Sequence, residues 1–244
     1  MNWSSQSYSV FDDEVLMTVT GGRFNYPLML NLHDRLVAVI GAGTVGRRKL
    51  QRLLAVGARI RLVDPQLAGN PYPSELVESV GRGFDSADLQ GVLLVFACTD
   101  SPLVNRQVAT VAAQRQLLCC CADQPQGGDF ALPAVLNRGN LTIAVATGGD
   151  SPALAALLRD RLEAQVPDSW GRTLEIMAAV RRKWLTEQID DKYNRQVLRS
   201  FSLDRLLTLV EQGKLSEIDQ LLKDAFGDAF SLEQLRLQSP GGKS

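Results

Sequence analysis

The first strong signal along the chain is a continuous apolar run, Leu36-Val37-Ala38-Val39-Ile40, which has the form of a strand buried on both faces. Gly41-Ala42-Gly43-Thr44-Val45-Gly46 follows at once. Leu50, Leu53 and Leu54 then recur at helical spacing until Gly57 stops them. Residues 59–63 predict a second strand ending at Asp64, and Pro65, Gly69, Pro71 and Pro73 mark a loop. A weak third strand is expected near 77–84, a strong fourth over 92–97, a helix over 103–115 and a fifth strand over 117–122. This alternation calls for α/β architecture, a Rossmann-type parallel sheet with helices on both faces.

Beyond Asp123 the period changes. Residues 124–129 are turn-rich, and 141–146 are apolar and β-prone. In Thr147-Gly148-Gly149-Asp150-Ser151-Pro152 a helix start is built into a turn, with Ser151 as N-cap and Pro152 at the first helical position. That helix should run to about Gln165, closed by Pro167. From Asp168 to about Leu237 the pattern is helical, with charged faces and leucine stripes. The expected organisation is a flexible extension over 1–25, a nucleotide-binding domain over 26–138, a small segment over 139–166, a helical domain over 167–238 and a disordered tail over 239–244.

Composition narrows the function classes. The 244 residues are 45% hydrophobic and 22% charged, an ordinary globular balance, with a net charge of -1. No bulk basic field is present to hold nucleic acid or an anionic membrane. The longest strongly apolar run, residues 92–98, is far too short for a membrane span, and the N-terminus lacks the basic start and apolar core of a secretory signal. Cys119, Cys120 and Cys121 are adjacent and Cys98 completes the four cysteines, which suggests no disulfide framework; a reducing cytoplasm is the expected setting.

A lone G-x-G-x-x-G is a weak signal, but here it follows a strand, opens a helix and sits in a βαβ unit. Gly41 allows the tight turn, Gly43 clears the approach of a pyrophosphate, and Gly46 lets helix and strand pack closely. The helix start, with Thr44 and Val45, presents N–H groups and partial positive charge to phosphates. Asp64 lies about 20 residues on, where a carboxylate accepts ribose hydroxyls and repels a 2′-phosphate, so NAD is favoured over NADP.

Five segments together resemble one family. They are Tyr26-Pro27-Leu28; the run from Gly41 to Arg47-Arg48-Lys49; Phe96-Ala97-Cys98-Thr99-Asp100 with Asn105; Asp123, Pro125, Phe130 and Pro133-Ala134; and the 147–152 turn with Leu158-Arg159. The chain is similar over 26–165 to the precorrin-2 dehydrogenase/sirohydrochlorin ferrochelatase family, which also forms the N-terminal half of larger siroheme synthases. The resemblance is loose over 166–235. It implies a homodimer, with 139–166 as the dimerisation segment, a helical C-terminal domain and active sites in clefts between domains. An apolar strand over 141–146 would be an edge liability that pairing across a dimer removes. The methyltransferase half of the larger enzymes has no room in 244 residues, so another protein is expected to make precorrin-2.

The implied chemistry has two steps. Precorrin-2 loses a hydride to NAD and a proton, giving sirohydrochlorin. Fe2+, a substrate and not a resident metal, then enters the macrocycle as pyrrole protons leave, and a carboxylate base assists. Asp123, after the fifth strand, is the candidate base; Asp100 and Asp129 are the alternatives, and Asp100 also suits helix capping or the cofactor pocket. Thr99 and Asp100 fall in the implied cofactor site. Thr147, Gly148, Gly149 and Ser151 offer a turn for substrate carboxylates; Arg138, Arg159 and the Arg47–Lys49 cluster are further candidates. Cys120 replaces an asparagine common in the family, which leaves dehydrogenase-only activity as an alternative, beside a non-catalytic NAD- or tetrapyrrole-sensing module. The cysteines read as buried small apolar residues, with no three in a row able to face one ion. His33, the only histidine, is assigned no role.

Overall fold

The computed structural model describes residues 26–69, 72, 74–122, 128–186 and 201–237. Five strands, β1 (Leu36–Ile40), β2 (Arg59–Val63), β3 (Val77–Val80), β4 (Leu94–Ala97) and β5 (Leu118–Cys121), form one parallel sheet in the order β3-β2-β1-β4-β5. Central β1 and β4 are apolar and buried on both faces, as a sheet covered on both sides demands. Helix α1 (Thr44–Ala55) lays Leu50 and Leu53 on one face, against Val37, Val39, Ile60, Leu62 and Phe96. Helix α2 (Pro102–Gln114) lays Val108 and Ala112 on the other, against Ala38, Ile40, Val95 and Ala97. β1 and β4 are sequence-distant neighbours, so the chain leaves the sheet in opposite directions after them. Their carboxyl ends therefore open a crevice where folds of this kind hold ligands.

The fourth strand begins at Leu94, not Val92, because Val92 N–H closes a turn onto Leu89 O. The third is shorter than expected, ending at Val80.

The chain divides into two compact units. Among the described residues one runs to Leu132 and takes in Gly148–Asp150; the other comprises Pro133–Thr147 and everything from Ser151. The second contains β6 (Ala134–Arg138) and β7 (Leu141–Val145), an antiparallel ribbon. β6 was missed from the sequence, although Gly139-Asn140 between two strands is a hairpin signal; Gly139 adopts φ 56° there. Among the described residues the helices that follow are α3 (Pro152–Gln165), α4 (Ser169–Thr186), α5 (Leu203–Glu211) and α6 (Leu215–Phe226). Ile176, Val180, Leu206, Ile218, Leu222 and Phe230 form the core of α4–α6. The helical pattern stops short of Leu237: residues 227–237 are turns. No helix among the described residues is long and apolar enough to cross a membrane.

Candidate functional site

The three loop glycines have distinct steric reasons. Gly41 adopts φ 104°, and a Cβ there would lie 2.6 Å from Cys98 O, so the loop passes tightly over the end of β4. A Cβ on Gly46 would lie 1.9 Å from Gly41 O, so only glycine lets α1 start this close to the loop. A Cβ on Gly43 would meet nothing within 4 Å, which leaves an open, exposed face at the N-cap of α1. Arg47 N–H makes the first helical bond, to Gly43 O, so the N–H groups of Thr44, Val45 and Gly46 have no intrahelical acceptor. An open face above free N–H groups suits a pyrophosphate, and the donor set fits a nicotinamide dinucleotide.

Asp64, at the end of β2, accepts from Ala42 N–H (2.6 Å, Oδ2) and Gln66 N–H (2.7 Å, Oδ1). It thus fastens the glycine loop to the next strand. Each carboxylate oxygen keeps a second lone pair, enough to accept a ribose hydroxyl as well. Arg47 steadies the same loop, its Nε donating to Ala42 O at 2.9 Å.

On the far side of the crevice, Thr99 and buried Asn105 are tied together. Asn105 Oδ1 accepts from Thr99 N–H (3.1 Å) and lies 2.7 Å from Thr99 Oγ1, and Asn105 Nδ2 donates to Thr99 O (3.0 Å). This fixes the loop after β4. Capping of α2 falls to Ser101, whose hydroxyl accepts from Val104 N–H, and not to Asp100, which is exposed. The glycine loop, Asp64 and Thr99 therefore come together at one edge of the sheet.

Asp123 lies outside the described residues. Asp129, its alternative, is engaged with β5: its Oδ2 accepts from Cys119 N–H (2.9 Å) and its own N–H donates to Cys119 O (2.7 Å). Phe130 beyond it meets Phe96 edge-on.

Cys119 and Cys121 share one face of β5, their sulfurs 3.8 Å apart, while Cys120 faces the α1 side with Cys98. Burial, with the neighbouring thiol Cys121 adding to it, drives the Cys119 thiol far above its ordinary range. Among the described residues no group of three or more His, Cys, Asp or Glu side chains could hold a metal ion.

Of the remaining candidates, Arg138, Thr147, Ser151 and Arg159 belong to the second unit, and Gly148 and Gly149 to the first. Thr147 Oγ1 accepts from Ser151 N–H (3.2 Å) and donates to Ser151 O (3.0 Å), while Ser151 Oγ caps α3 through Leu154 N–H (3.2 Å). The turn thus uses part of its donor set on itself, leaving Gly148 and Gly149 exposed. Arg138, a candidate substrate contact, is engaged within its own unit. Its side chain is only 13% exposed, its Nε donates to Val166 O (2.8 Å), and Glu163 and Asp168 pair with it, so it closes the end of α3. That destination lies 25 to 30 residues away in the chain, beyond the reach of local pattern. Arg159 pairs with Asp160 at 2.5 Å, and its buried Nε has no partner among the described residues.

Comparison with known proteins agrees with this geometry. The family described as putative NAD(P)-binding matches residues 28–134, and the sirohaem biosynthesis protein central family matches residues 138–165. A siroheme synthase from Thioalkalivibrio sulfidiphilus is 35% identical over 161 residues, 65% of this chain and 33% of that protein. Siroheme synthase 2 of Aeromonas salmonicida is 35% identical over 213 residues, 84% of this chain and 43% of that one. The chain thus spans less than half the length of these relatives. Among solved structures, SirC, a precorrin-2 dehydrogenase, superposes with a TM-score of 0.56 at 24% identity, over 77% of this chain and 100% of that one, and shares the fold.

Proposed function

Because the chain belongs to the sirohaem-biosynthesis family, we propose that it oxidises precorrin-2 to sirohydrochlorin with NAD+ and also inserts Fe2+ to give siroheme. The observation that carries the reading is the open N–H cradle at Gly43–Gly46, bonded through Ala42 to the acid at the end of β2. A nicotinamide dinucleotide bound there supplies the hydride acceptor. The N–H groups of Thr44–Gly46 hold its pyrophosphate. Asp64 accepts from the ribose, and its negative charge disfavours a 2′-phosphate, which supports NAD over NADP. The Thr99–Asn105 knot keeps the opposite wall rigid, so substrate is positioned by a preformed edge. Asp123, directly after Ala122 in the chain, is the base that takes pyrrole protons as iron enters. Thr147, Ser151 and Arg159 bind substrate carboxylates.

The protein works as a homodimer through 139–166. In support, α3 buries only Ala155, while Leu154, Leu157 and Leu158 are 55%, 48% and 45% exposed. Dehydrogenation without chelation is the second reading, favoured by Cys120, which is buried against the α1 side and offers no amide.

Anaerobic incubation with NAD+ and precorrin-2 should yield NADH and sirohydrochlorin together; no NADH would reject the oxidation. Fe2+ added to sirohydrochlorin, with Asp123→Ala as control, separates the two readings. Insertion no faster than without protein leaves the dehydrogenase alone.

A further inference from the structure

The basic residues of α1 have three different fates. Arg47 folds back onto the loop, and Arg48 and Arg52 are exposed. Lys49 is half-buried instead. Its Nζ lies 5.7 Å from the centroid of the Phe96 ring, which Phe130 meets edge-on at 5.6 Å. The thiols of Cys98 and Cys120 are its close electrostatic neighbours, and among the described residues no carboxylate pairs with it. Cys98 directly follows β4 and carries the carbonyl against which Gly41 packs, so this amine stands beside the ligand crevice. A cation drawn in from solvent without an anion is disfavoured, and a ring face offsets only part of that. Burial accordingly holds the Lys49 ammonium below the usual lysine range, with the two thiols opposing.

We propose that Lys49 receives an anionic group, a carboxylate or phosphate, of a ligand bound at the carboxyl edge of β4. This rests on the functional reading above, in which both the dinucleotide and the polycarboxylate macrocycle carry such groups. The Lys49 ammonium sits over the Phe96 ring face, which gives the charge a preferred position beside the sheet.

Titrations of wild type, Lys49→Met, Lys49→Gln and Lys49→Arg with NAD+ and, separately, with sirohydrochlorin decide it. Both neutral variants should bind one of the two ligands at least about tenfold more weakly, and arginine should restore most of the affinity. Loss confined to sirohydrochlorin assigns a substrate carboxylate; loss confined to NAD+ assigns the pyrophosphate. Wild-type affinity for that ligand should also fall with added salt. Unchanged affinity for both ligands in a folded neutral variant, or a lowered melting temperature as its only effect, overturns the proposal while leaving the functional reading intact. Binding of neither ligand by wild type overturns both.

Discussion

The sheet unit and the ribbon-with-α3 segment solve the burial problem in opposite ways. In the sheet, α1 and α2 close both faces, and every residue of β4 is buried. In the other, one ribbon and one helix leave three leucines of α3 open, and among the described residues of that helix only Ala155 is fully covered. A domain that completes its own core can hold a rigid ligand edge by itself. A segment that does not is built to be finished by another surface.

The contrast can be tested by the same steric change in each region. Gly46→Val should be the most damaging substitution, because its Cβ would overlap Gly41 O; a loss of at least about 3 kcal/mol in urea unfolding, with loss of NAD+ binding, is expected. Tolerance there would mean the loop is not packed as described. Gly171→Ala brings a Cβ to 2.6 Å from Arg138 O, where α4 crosses the ribbon turn. It should cost about 1–3 kcal/mol by the same measurement and leave NAD+ affinity unchanged.

Leu157→Asp probes the open face of α3 without touching either core. Light scattering should show the dimer dissociating at least about tenfold more readily, with the melting temperature of the sheet unit maintained. An unaltered mass would place the partner surface elsewhere.

The smallest effect belongs to a charge sealed inside the sheet unit. Burial pushes the Asp88 carboxyl up, but the two-pronged bond from Arg82 and the Asp85 N–H outweigh it and hold it below the ordinary carboxylate range. Its folded pKa therefore lies below its unfolded one. The stabilisation is full above about pH 4, the unfolded value, and is lost as pH falls through the folded pKa. Asp88→Asn should unfold more easily than wild type at pH 7, and the gap should narrow below about pH 4. A gap independent of pH would remove the carboxylate from the account.

The sheet was legible because its strands are continuous apolar runs and its loop glycines follow immediately. Each depends on neighbours close in the chain or on a regular alternation. Ser151 and Pro152 were legible for the same reason. Arg138 was not, since the end of α3 that claims it is set by the fold of the hairpin and helix together. Asp64 was only half legible. Its position at the end of β2 is a sequence matter, but its bond to Ala42 N–H, which makes it a fastener of the loop, needs the parallel β1–β2 register. Lys49 differs from Arg48 only in which side of α1 faces Phe96, which a run of three basic residues does not reveal.

Gly43 gives the most direct test, since its Cβ direction points into open space and a side chain there leaves the fold undisturbed. Calorimetric titration of Gly43→Asp with NAD+, beside wild type, is the measurement. An unchanged melting temperature with affinity lowered at least about tenfold is the predicted result, as the new carboxylate occupies and repels the pyrophosphate position. Equal affinity in the two proteins would contradict the placement of the dinucleotide at this loop.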